Sequence, residues 1–222
     1  MKFGVDVALT PTPEQHQRLV ELQRTFAAVC NALAPLVQST RIWNRVALHH
    51  LAYRRLRQEF PEIGSQMVCN AIYSVSRACR MVFQAPESPF HHSRLEGKPL
   101  PRLHFTDSSP VYFDRHTLSL KGGQASMYTL DGRMKFQLTL KPEVEEAFHQ
   151  RKLLEVALTR RADLFVLSFT FGTASQAGEG SAPVPSPVNL AAPEPLADAE
   201  TAPTPAALGQ TLPEYLLLEE SA

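Results

Sequence analysis

The period of apolar positions changes twice along this chain. Residues 2–9 alternate, with Phe3, Val5, Val7 and Leu9 on one side, which predicts a strand. Next, Leu19, Leu22, Phe26, Val29 and Leu33 recur at helical spacing, predicting a helix to Pro35 or just beyond. Its start carries a signature: Thr12 at the N-cap, Pro13 in the first turn and Gln15 at capping-box spacing. Asn44 is a candidate start for the next helix, LHHLAYRRLRQEF (residues 48–60). There Leu48, Ala52, Leu56 and Phe60 face a core, while His50, Arg54 and Arg57 point away. Pro61-Glu62-Ile63-Gly64 breaks the pattern before SQMVCNAIYSVSRACRMVF (residues 65–83). Met67, Ala71, Val75, Ala78 and Val82 form its apolar face, widened by Val68, Ile72 and Cys79. The opposite face carries Gln66, Asn70, Tyr73, Arg77 and Arg80.

Residues 85–101 dissolve into Pro, Ser, His and Gly and read as a connecting loop. Strands return over 103–105, 111–120, 125–130 and 133–140, with Lys121-Gly122-Gly123 and Asp131-Gly132 as hairpin signals. Residues 142–150 read as a short helix or loop. A last hairpin covers 154–160 and 164–171, with Phe165, Leu167, Phe169 and Phe171 on one side. The fold class is therefore α+β: a small β-barrel or curled antiparallel sheet with an inserted helical bundle. The first strand occupies 1–10, the insertion 11–84, a linker 85–101 and the rest of the barrel 102–171. Residues 172–222 hold 8 of the 18 prolines and no Lys or Arg, and are expected to be disordered. Their last stretch, LPEYLLLEE (residues 212–220), either frays or forms a helical turn or two that docks on a partner.

Charge sharpens this division. The net charge of zero hides a body, residues 1–171, with all 22 bases against 15 acids, net +7. The tail has 7 acids and no base. Sixteen of the bases are Arg, which suits forked contacts to phosphate and guanine. Between Asp6 and Glu59 only Glu14 and Glu21 are acidic, so the polar helix faces are basic. Amide, phenol and guanidinium groups bond base edges, stack on bases and neutralise phosphates; a plain solvated helix face is the competing account. Cys30, Cys69 and Cys79 lack CxxC spacing, which points to the reducing cytoplasm. Neither a signal peptide nor an apolar run long enough for a membrane span is legible. His91-His92 has no Cys or carboxylate cluster beside it, so no metal or other cofactor is expected. Gly4-Val5-Asp6-Val7 superficially resembles the metal-binding strand of ribonuclease-H-like nucleases. Asp6 alternates outward, however, and Ala8-Leu9-Thr10-Pro11 replaces the glycine turn such sites need.

Five blocks agree with one family: PTPEQ (residues 11–15), RIWNRVALHHLAYRRLR (41–57), SQMVCNAI (65–72), YFDRHTLSLKGG (112–123) and YTLDGRMKFQLTL (128–140). In these, over roughly residues 2–171, the chain resembles the N-terminal half of the TnpB proteins (OrfB of the insertion sequences of the IS200/IS605 group). Those are transposon-encoded, compact RNA-guided DNA nucleases related to Cas12 effectors. The resemblance implies a wedge-type β-barrel with a helical recognition insertion, which holds guide RNA and reads a short motif flanking the DNA target. It places Ser65, Gln66 and Asn70, with Tyr53 and Thr106, by that flanking duplex. Arg77, Arg80, Arg115 and Arg133 would contact phosphates; bracing a hairpin is the equal alternative for Arg133. Arg41, Arg45, His50, Arg54, Arg57 and Tyr73 complete the candidate nucleic-acid contacts.

The departure from the family is as informative. In TnpB proteins a RuvC nuclease with three metal-binding carboxylates and a CxxC zinc ribbon follow the last strand. Here GTASQAGEGSAPVPSP follows Phe171, and no CxxC exists. Two-metal cleavage needs converging carboxylates, so the expectation is a non-enzymatic protein that binds guide-like RNA and double-stranded DNA. One alternative is a truncated or decayed transposon relic. Another is an interaction subunit whose acidic tail recruits a nuclease through residues 212–220, or folds back on the basic body.

Overall fold

The computed structural model describes residues 3–140, 142–172 and 212–219. Strand β1 (Phe3–Ala8) leads into helix α1 (Pro13–Thr40) through the expected capping box. The Thr12 hydroxyl accepts from the Gln15 amide at 3.2 Å, and the Gln15 side chain accepts from the Thr12 amide at 3.0 Å. The helix does not stop at Pro35. Leu33, Ala34 and Val37 are buried around it, and burial at those positions offsets the one backbone bond the ring removes. It ends at Arg41, whose left-handed conformation (φ 55°) lets its N–H donate to the Val37 carbonyl.

Helices α2 (Arg45–Glu59) and α3 (Ser65–Cys79) follow, and α3 continues as a π turn over Arg80–Gln84. The Asn44 side chain caps α2 by accepting from the Val46 and Ala47 amides. All eight residues of the expected apolar face of α3 are buried.

The expected barrel is replaced by three separate antiparallel sheets, and no closed barrel forms among the described residues. The largest joins β1, β8 (Leu164–Phe171), β7 (Leu153–Arg161) and β3 (Val111–Phe113), in that order. A meander joins β4 (Leu118–Lys121), β5 (Gln124–Thr129) and β6 (Gly132–Gln137). Between β6 and β7 lies a short helix, α4 (Pro142–Gln150). The cause of the split is local. The strand expected over 111–120 breaks where the Asp114 carboxylate accepts from the amides of His116 and Thr117, both at 3.0 Å. That Asx-type turn ends β3 and re-aims the chain into a second sheet. Gly122 and Gly123 (φ 55° and 70°) supply the two positive φ values of the β4–β5 hairpin.

The third sheet pairs β2 (Arg102–Phe105) with β9 (Leu216–Glu219). The end of the expected tail therefore docks as a strand, not as a helical turn, with Leu216 buried. The expectation of disorder over 173–211 lies outside the described residues.

One core spans the helices and the sheets, so the helical insertion is not a separate unit. Phe26 of α1, Val75 of α3 and Phe165 and Phe169 of β8 all belong to it. Residues 85–101, expected to be a linker, are tied down: Gln38 donates to the Leu100 carbonyl, and Arg41 donates to the carbonyls of Leu95 and Lys98. Among the described residues no helix is long and apolar enough to cross a membrane.

Candidate nucleic-acid interface

The amphipathic period of α3 put five polar residues opposite its core face, but the structure does not leave that stripe to solvent. The break at Asp114 brings the 114–117 turn and β3 across it. Gln66 donates to the Asp114 carboxylate at 2.6 Å, and Asn70, only 4% exposed, donates to the Thr117 hydroxyl at 3.3 Å. The Tyr73 phenol donates to Glu155 of β7 at 2.7 Å, and the Arg77 guanidinium pairs with the same carboxylate at 3.4 Å. A polar side chain opposite one apolar face is thus turned onto a second packed layer.

Glu155, Tyr112 and Tyr215 complete this cluster, and the sequence patterns did not point to them. The rings of Tyr73 and Tyr112 meet edge to face at 5.5 Å, and Arg77 lies over Tyr112 at 5.5 Å. Burial, with the Glu155 charge beside it, pushes the Tyr73 phenol up to about 12. Burial also raises Tyr112 and Tyr215, against the pull of Arg77. For Arg77 burial opposes the charge, but Tyr112 and Glu155 outweigh it and the group stays protonated.

The remaining candidates divide into two groups. Arg57, expected to point away from the core, instead donates to the Phe60 and Ile63 carbonyls and closes the α2–α3 loop. Arg41 braces residues 95 and 98, and Thr106 pairs with the Tyr215 carbonyl and the Ser108 hydroxyl. Arg133 donates to the carbonyls of Ser126 and His116 and stacks on Tyr128 at 4.3 Å, so bracing the meander is a role it plainly fills.

By contrast, α2 presents an outer face of a different kind. Arg45, Val46, His50 and Arg54 are exposed, and no arginine of α2 has a carboxylate partner among the described residues. The His49 ring stacks on Tyr53 at 4.6 Å and 21°, and Arg45 lies over Tyr73 at 5.5 Å. Helix α2 has no acid in its first turn, so its N-terminal dipole adds to the positive charge of Arg45. Around the corner, Ser65 is exposed at the start of α3, and Arg115 is exposed beside His116 in the turn that Gln66 holds. Arg80 is half-buried at the far end of α3. The tertiary structure therefore places Ser65 and Arg115 around the start of α3, while Arg45 of α2 lies over Tyr73 farther along it. Among the described residues no group of three or more His, Cys, Asp or Glu side chains is placed to hold a metal ion.

Neither the protein-family models nor the curated proteins compared with this chain contain a match.

Proposed function

We propose that this chain binds nucleic acid through the outer face of α2 and the start of α3, as a TnpB-like recognition module with no cutting step of its own. One observation carries the proposal: α2 exposes Arg45, His50 and Arg54 beside a stacked His49–Tyr53 pair, and its arginines have no carboxylate partner among the described residues. A surface held only for solubility interleaves both signs of charge. This one leaves cations and aromatic rings available together, which is what phosphates and unstacked bases require. The five sequence blocks shared with TnpB proteins point to a guide-like RNA as the ligand, with the duplex flanking a DNA target as a second contact. In this structure residues 216–219 pair with β2, so recruitment of a protein through them would compete with that pairing.

The test is to crosslink the tagged protein in its own host, purify it and sequence the bound nucleic acid. Enrichment of one structured RNA supports the proposal, and no enrichment over a charge-matched control refutes it. In vitro, affinity for RNA falls with salt at a log–log slope of about −0.7 per neutralised phosphate.

A further inference from the structure

Among the described residues strand β2 has one strand neighbour, β9, which lies far along the chain. Its other edge is held by a side chain: Asn31 of α1 donates to the Phe105 carbonyl at 2.8 Å and accepts from the Phe105 amide at 2.7 Å. With β9 removed, β2 would present a bare edge. Four residues of β9 pair with it, and a two-stranded ribbon of that size is marginal by itself.

The docked segment sets its carboxylates beside basic side chains. Glu219 takes both Arg102 and His104, the latter at 3.0 Å, and the Tyr215 phenol lies close enough to Arg77 to feel its charge. Glu214 lines an open cleft of about 780 Å³ together with Arg160, Arg161 and Asp163, and Arg161 also pairs with Asp6 at 3.5 Å. Tyr112 is 6% exposed, with Tyr215 among the groups near it. From Tyr215 to Glu219 the strip runs roughly 13 Å at about 3.3 Å per residue. Glu214 and Glu219 of the docked segment stand by basic side chains of the body, as phosphates of a nucleic acid would.

We propose that residues 212–219 are a releasable latch that competes with a single-stranded nucleic acid for Arg77, Arg102 and the Arg160–Arg161 cleft. This rests on the nucleic-acid reading above and adds a second, masked contact surface to it. A single strand fits better than a duplex, because release uncovers an aromatic ring as well as guanidiniums, and stacking on a ring needs an unpaired base. Residues 173–211 connect the latch to β8, and loop-closure cost rises only slowly with such length. The latch therefore rebinds readily and sets a threshold for the ligand, without closing the surface permanently.

The test staples the latch in the full chain. His104 and Leu217 are cross-strand partners, and Leu217 is 52% exposed, so His104→Cys/Leu217→Cys changes no core residue. Cross-strand Cα spacing of about 5.5 Å suits a disulfide. Binding of a fluorescent 20-nucleotide oligouridine is measured for this variant oxidised and reduced. Oxidation is expected to weaken binding at least fivefold, and to flatten the log–log salt slope by about 1.4 as two phosphate contacts are withheld. The second variant, Tyr215→Ala, is expected to bind several-fold tighter than the parent. In the parent, added oligouridine should speed hydrogen exchange at the amides of residues 216–219. Binding that ignores the redox state, or unchanged exchange with RNA bound, overturns the latch and leaves the α2 surface standing. Absence of binding in every form overturns both.

Discussion

Replacing Tyr73 by Phe separates the packed role of the α3 stripe from a role in reading nucleic acid. The ring, its edge-to-face contact with Tyr112 and its stacking under Arg45 all survive the change. Only the phenol hydroxyl is lost, and with it the 2.7 Å bond to Glu155. A hydrogen bond to a charged acceptor is worth about 1.5–3 kcal/mol, and Glu155 keeps its Arg77 partner, so the lower half of that range applies. For a body of this size each kcal/mol moves Tm by about 2–4 °C, so a fall of roughly 3–8 °C is expected at pH 7. The pH dependence carries the same signature. An unfolded Tyr ionises near pH 10, whereas Tyr73 in the folded protein is pushed up to about 12. Its contribution is complete below pH 10 and lost as pH rises through 12, because the unfolded state then binds fewer protons. The stability curves of parent and variant, from urea unfolding at pH 7 to 12, should therefore converge above pH 10. RNA affinity of the folded variant should stay within twofold of the parent. An unchanged Tm together with a tenfold loss of affinity would refute this account, since it would mean that the phenol faces ligand and not Glu155.

Other perturbations test separate steps. Arg54→Gln removes an exposed cation with no hydrogen bond or ion pair among the described residues, so Tm should hold while the RNA salt slope falls by about 0.7, read by fluorescence anisotropy. Thr12→Ala breaks the capping box of α1 and is expected to cost about 1 kcal/mol in chemical unfolding. Arg133→Ala removes the donors to Ser126 and His116; hydrogen exchange should quicken across β5 and β6 and stay unchanged in α1.

Elements whose cause is local were legible from the residues. The capping box at Thr12, the Asn44 cap, the two-faced α3 and the β7–β8 hairpin all depend on neighbours a few positions away. Apolar periodicity also named the core face of each helix, because that face is buried whatever it packs on. What periodicity could not say is what lies on the other side. The stripe of Gln66, Asn70 and Tyr73 has the composition of a ligand-facing surface. Whether it faces ligand or protein depends on Asp114, whose turn carries β3 and residues 114–117 across it. The same turn split the expected barrel, because one side chain accepting from two amides ends a strand that alternation alone would continue. Pro35 was overruled by burial on both sides of it, a term set by the whole fold. For the stretch 212–219 the residues alone predict a frayed end or a helical turn or two, not a strand. Only β2, with an edge to fill and Arg102 and His104 placed to take Glu219, made it a strand. The sequence alone determined where the basic body, its helices and its strands lie. Tertiary structure decided which cations are paired inside the molecule and which stay exposed, since that depends on carboxylates contributed from distant parts of the chain.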